Sequence, residues 1–232
     1  GYSPSAEALL DTIEYCSIGT LTQGIDFGNL TEAVSHGTCS SDGIRGMIHL
    51  SNLNSGEMDY INIGTRGNAL NFGPSFDTNG SGSGSDGNKM IIWGGATYEF
   101  HTIGIASAAT DFGELDDSKQ YRHGGDGDGN RACTVGGYPG VSNIEIINFG
   151  SGGAASEFAG ELAVSGYGMN HATDGNRQLR MGAISFTSTI DVFVIASGGA
   201  VVDFGDLSDA AGDMDTGASD GSRGFCGQGN RN

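Results

Sequence analysis

Five times along the chain a short apolar stretch, in four of the copies with an acid near its start, is followed, after a brief loop, by an acid-Phe-Gly corner. The stretches read IEYCSI from Ile13 with DFG from Asp26, MDYINI from Met58 with NFG from Asn71, and FHTIGI from Phe100 with DFG from Asp111. The last two are IEIINF from Ile144 with EFA from Glu157, and IDVFVI from Ile190 with DFG from Asp203. The step from stretch to corner is 13 residues in four copies and 11 in the third. Interleaved with them, an Asp-Gly-x-basic turn opens a second apolar stretch at Asp42, Asp86, Asp128, Asp174 and Asp220, spaced by 44, 42, 46 and 46 residues. Apolar residues fall on both alternating sets of positions, which predicts strands covered on both faces.

A unit of about 46 residues holds four strands of five or six residues with their turns, the size of a propeller blade. The pattern therefore predicts an all-β fold, a single five-bladed β-propeller over residues 1–232. Its repeats run at approximately 12–57, 58–99, 100–143, 144–189 and 190–232. The basic-apolar stretch from Arg223 has no following partner, and the acid stretch from Ile13 has no preceding one. Pairing of the N- and C-terminal segments would close the ring and set the Cys226 strand beside the Cys16 strand.

The repeated residues read as architecture. Phe27, Phe72, Phe112, Phe158 and Phe204 recur at one register, as core packing does. The acid before each Phe and the base after each Asp-Gly predict a clasp, a guanidinium holding the acid or nearby loop carbonyls. Its members are Asp26, Asp111 and Asp203 among the acids and Arg45, Arg131 and Arg223 among the bases, with Asn71 and Lys89 both altered in the second copy. Each Asp-Gly is turn chemistry. The stretch DGDGN from Asp126 invites a calcium reading but lacks the twelfth-position carboxylate and flanking helices of an EF-hand, so incidental calcium binding is the most it predicts and no cofactor is expected.

Composition narrows the classes. The 232 residues include 43 glycines and 3 prolines without a three-residue period, which removes collagen and leaves a turn-dense β protein. The formal charge of −18 repels phosphate backbones and anionic membranes, so nucleic acid is not an expected partner. No run approaches 18 apolar residues, so no membrane insertion is expected. Cys16, Cys39, Cys133 and Cys226 lack zinc-site spacing, leaving disulfides and free thiols both open. The five histidines share no register, and no nucleophile elbow or phosphate loop is present.

The unit of strand, acid-Phe-Gly corner, variable segment, Asp-Gly-x-basic turn and apolar strand resembles the kelch-like repeats of tailed-phage virion proteins of the fibre or decoration type. INIGTRGNALNFG from Ile61 carries the resemblance most fully. It implies a non-enzymatic virion surface protein, a tail-fibre head or capsid decoration, whose partners are other virion proteins or host-surface glycans and proteins. A secreted five-bladed lectin is the alternative, and a propeller glycoside hydrolase a third reading. Binding is expected on the segments between corner and turn, 29–40, 74–84, 114–126, 160–172 and 206–218, whose flanks repeat while their content drifts. Within or beside them Phe76, Tyr121 and Tyr167 are aromatic residues outside the core registers, suited to sugar or protein contact.

Overall fold

A computed structural model describes residues 2–3, 8–17, 19, 23–34, 36–52, 55–76, 82–119, 127–183, 186–212 and 217–227. These residues contain no helix and form antiparallel sheets. Sheet I holds β1 (Tyr2–Ser3), β2 (Ala8–Tyr15) and β3 (Ile25–Val34). Sheet II holds β4 (His36–Ser41), β5 (Arg45–Asn52), β6 (Ser55–Asn62) and β7 (Leu70–Pro74). Sheet III holds β8 (Gly82–Ser85), β9 (Lys89–Thr102) and β10 (Thr110–Lys119), with β9 filling both middle positions. Sheet IV holds β11 (Arg131–Val135), β12 (Ile144–Asn148) and β13 (Ser156–Glu157). Sheet V holds β14 (Asn170–Thr173), β15 (Arg177–Met181), β16 (Thr187–Val194) and β17 (Val202–Ala211), and sheet VI holds β18 (Gly217–Ser219) and β19 (Gly224–Cys226).

The Asp-Gly turns build the first hairpin of each repeat. Every one of these aspartates accepts backbone N–H bonds from the residues two and three ahead, as Asp42 does from Ile44 at 2.8 Å and Arg45 at 2.6 Å. The following glycines sit at φ between 81° and 85°, which only Gly adopts without strain. In sheet IV the first strand shrinks to a single bridge, Gly127 to Ala132.

Strand register corrects the reading of the third copy. Glu99 pairs with Asp111 just as Glu14 pairs with Asp26, Asp59 with Asn71, Glu145 with Glu157 and Asp191 with Asp203. The third stretch therefore begins at Tyr98, not Phe100, and the step to the corner is 13 residues in all five copies. Apolar alternation hid this because Tyr98 and Phe100 lie on the same face two residues apart.

Both faces of the middle sheets are buried, as the strand pattern requires. Met47, Met58 and Phe72 of sheet II pack with Met90, Ile92 and Ile103 of the next unit. On the other face of sheet III, Ile91, Trp93 and Tyr98 meet Ala132 and Ile147. Cys133, Val135 and Phe158 of sheet IV then meet Phe193 and Ile195 of sheet V.

The repeat boundary at 57/58 cuts through β6, because a hydrogen-bonded sheet starts with the strand before the Asp-Gly turn rather than with the acid stretch. Segments 29–40 and 206–218 are largely strand, since β3 and β17 continue well past their corners. The N- and C-terminal segments lie in separate sheets: among the described residues β19 pairs only with β18, and β2 with β1 and β3.

Candidate functional site

The repeated charged residues are placed where sheets meet. The buried acids are the second residues of the acid stretches rather than those of the corners. Asp59, Glu99, Glu145 and Asp191 are at most 3 % exposed, while Asp26, Asn71, Asp111, Glu157 and Asp203 are exposed. Each buried acid with a defined partner is capped from the preceding unit: Asp59 accepts the Thr31 backbone N–H and hydroxyl at 2.7 Å, and Asp191 accepts the Ala163 N–H at 3.2 Å. Glu99 accepts the Phe76 N–H at 2.7 Å and the Ser75 hydroxyl. Such charge-assisted bonds offset part of the cost of burying these acids, although Asp191 Oδ1 has no hydrogen-bond partner.

The bases reach the other way. Arg45 donates to the Ile103 carbonyl at 2.9 Å, Lys89 to Phe149 at 2.8 Å and Arg131 to Ile195 at 3.4 Å, each the sixth residue of the next unit's acid stretch. The expected clasp within a unit is thus not formed. Arg131 is engaged by Asp128 at 3.5 Å, and among the described residues no ion pair joins it to Asp111. Asp26 and Arg45 are likewise unpaired with each other, as are Asp203 and Arg223. The carbonyl alternative is what the fold uses, because a corner acid on an exposed edge keeps its hydration, whereas a carbonyl facing the sheet junction needs a donor. Arg177 and Arg223 instead fold back onto Asp174 and Asp220, at 2.7 and 2.8 Å, with side chains 56 % and 74 % exposed. Hydrogen bonds from Ser222 and Arg223 hold the Asp220 carboxyl down at about 2.

Backbone locks complete two of the junctions, and a single bond from Ala109 to Pro74 crosses a third. Gly67 donates to Phe27 and Ala69 to Asn29 between sheets I and II, and the same pair of bonds recurs from Gly153 and Ala155 to Phe112 and Glu114. A Cβ on Gly28, Gly73 or Gly113 would lie within 2.4 Å of the carbonyl that crosses from the next unit, so Gly is required there.

In sheets II to VI, strand order puts the Asp-Gly turns at one end and the connections between units at the other. That second end carries the binding candidates. Phe76 is 65 % exposed while its backbone serves Glu99. Tyr121 lies outside the described residues. Tyr167, half-buried, stacks edge-on against Tyr138 with ring centroids 5.3 Å apart at 87°. Tyr138, 49 % exposed, comes from the loop between β11 and β12, and a bridge from Val141 to Gly166 joins the two loops. Sequence reasoning missed Tyr138 because its loop lies outside the segments between corner and turn. The insertion GGYPGVSN, longer than the matching loops, was the available signal. Phe76 belongs to the connection between sheets II and III and takes no part in this pair.

Asp128 of the DGDGN stretch is a turn acceptor for Asn130 and Arg131 at 2.9 Å, and Asp126 lies outside the described residues. Among the described residues no three His, Cys, Asp or Glu side chains converge on a metal position. No disulfide joins the cysteines, all of which are among the described residues, and burial pushes Cys133 up to about 12.

No protein-family model and no curated protein sequence matches the chain. Its fold is similar to that of a fungal alcohol oxidase of the AA5 family in complex with copper, with TM-score 0.67 and 12 % identity over 90 % of this chain and 52 % of that one. It is also similar to the hydrazine synthase of Kuenenia stuttgartiensis, with TM-score 0.59 and 16 % identity over 78 % of this chain and 51 % of that one. The chain spans about half the length of either, and at these identities the likeness is one of β-rich fold alone.

Proposed function

We propose that the chain is a non-enzymatic, kelch-like five-bladed β-propeller of a virion surface, closed by its N- and C-terminal strands. The end of the sheets opposite the Asp-Gly turns meets a host glycan, a host protein or a neighbouring virion subunit. The observation that carries this reading is the Tyr138–Tyr167 pair, two aromatic rings set edge to face and backed by a backbone bridge. Held by packing, such rings lose little freedom on binding and offer an apolar face with a polar tip. The repeated acids and bases support the same reading, because they are used in joining units. The net charge of −18 favours a soluble particle surface and disfavours nucleic acid. A secreted lectin with five equivalent sites is less well supported, since such a tyrosine pair is found at one place among the described residues.

Tyr138→Ala and Tyr167→Ala, alone and combined, are to be measured for binding to host cells and to a glycan panel. Loss of binding of about tenfold or more in folded variants is expected for an aromatic anchor. A folded double variant that binds as the parent does would remove the site.

A further inference from the structure

The junctions between consecutive units draw on recurring parts, a buried acid, a base on a carbonyl of the next unit and a packed corner Phe, and the two ends of the chain present the separated halves of a fifth. On sheet V, Phe204 is 59 % exposed, whereas Phe27, Phe72 and Phe158 at the same register are at most 8 % exposed. Gly205 keeps the corner conformation at φ 136°, yet a Cβ there would meet nothing within 4 Å. Ser208 stands five residues beyond Asp203, as Thr31 does beyond Asp26, and it too is exposed. Between sheets V and VI lies a small open cavity of about 70 Å³ lined by Leu179, Val192 and Phe204 together with Arg177, Arg223 and Ser219. On sheet I, Glu14 is the fifth member of the buried-acid series, and it alone is exposed. From Asp11 onward no named strand pairs with the β2 edge opposite β3, because β1 takes only Ala8 and Leu9.

We infer that this cavity is the berth of the chain's own β2–β3 hairpin, with Glu14 accepting from Ser208 as Asp59 accepts from Thr31. The inference rests on the ring-closure reading and adds its register. The base of each unit pairs with the fifth residue of its acid stretch: Arg45 with Asn62, Arg131 with Asn148 and Arg177 with Val194. Carried to the fifth unit, Arg223 pairs with Ser17, Gly224 with Cys16, Phe225 with Tyr15 and Cys226 with Glu14. β1 does not overlap this register. Arg223, released from Asp220, then reaches the Ile63 carbonyl, the sixth position of its stretch, as Arg45 reaches Ile103. The pairing buries Phe204 and ends the exposure of both strand edges, which otherwise invite pairing with other chains.

The test uses the full chain with Cys16, Cys39 and Cys226 replaced by Ser. Tyr15→Cys with Phe225→Cys places two thiols directly opposite, within the Cα separation a disulfide spans. Mild oxidation is expected to give an intramolecular crosslink at this pair and none at the offset pair Tyr15→Cys with Gly227→Cys. A crosslink only at the offset pair would overturn the register and leave ring closure standing. Crosslinked dimers would replace the chain's own hairpin with that of a second copy. No crosslink at either pair would remove both register and closure. In the parent sequence, Glu14→Ala is expected to lower Tm as Asp59→Ala does, whereas an unchanged Tm would mean that Glu14 stays in water and the berth is empty.

Discussion

Arg180 and Asp191 form a fully buried ion pair. Both side chains are 0 % exposed and 3.6 Å apart, and Arg180 also donates to the Val164 carbonyl at 2.8 Å. Burial raises the Asp191 carboxyl, and the guanidinium only partly offsets this. Removing one partner strands the other in an apolar interior, so Arg180→Ala is expected to cost about 3–5 kcal/mol in denaturant unfolding. Arg131→Ala is expected to cost only about 1 kcal/mol, because its side chain is 31 % exposed and its bond to Ile195 is long. Equal costs would mean that the two arginines are equally buried.

His101 supplies a pH response. It is 1 % exposed, packs edge-on against Phe72 at 5.6 Å, and burial with nearby His49 lowers its pKa from 6.5 to about 4. A base whose folded pKa is depressed binds its proton more readily when unfolded. Its contribution is therefore full above about pH 6.5 and is lost as pH falls toward 4. Urea midpoints measured between pH 7 and 4 should fall, and His101→Phe should flatten that slope. A parallel slope in the variant would assign the loss to other groups.

At the scale of the element, the sequence made legible whatever repeats with a local cause. The Asp-Gly turns, the two-faced burial and the acid-Phe-Gly corners were all readable, because turn chemistry and alternation act within a few residues. The role of the acids was not. Whether Asp59 or Asn71 of one strand pair is buried depends on the neighbouring unit, about 30 residues away in sequence at Thr31. The register of the third copy needed strand pairing to separate Tyr98 from Phe100. Tyr138 and Tyr167 lie in loops of different sheets, so no local pattern joins them. The corner glycines give this scale its test: a Cβ on Gly113 would lie 1.8 Å from the Gly153 carbonyl. Gly113→Ala is therefore expected to lower Tm well beyond the roughly 1 kcal/mol of an ordinary Gly substitution, while Gly153→Ala, with open space around it, should cost only its backbone strain. Equal Tm values for the two variants would show that the crossing carbonyl moves aside freely.

At the scale of the whole molecule, charge acts over distances that no single contact covers. The chain carries 28 acidic and 10 basic residues, and several bases are already committed to carbonyls or turn aspartates. The Arg177–Asp174 and Arg223–Asp220 pairs are exposed and three residues apart, so they add little to stability and salt screens them readily. The remaining acids repel one another across the surface, a cost of compactness that also falls with screening. These two effects have opposite signs, and their numbers decide between them: among the described residues three weak attractive pairs, Arg131–Asp128 included, stand against an excess of 18 negative charges. Raising NaCl from about 0.01 to 0.15 M shortens the Debye length from about 30 to 8 Å. Tm is therefore expected to rise over that range and then level off, measured by calorimetry at neutral pH. A falling Tm would mean that local ion pairs, rather than the excess of acids, set the balance between folded and unfolded chains.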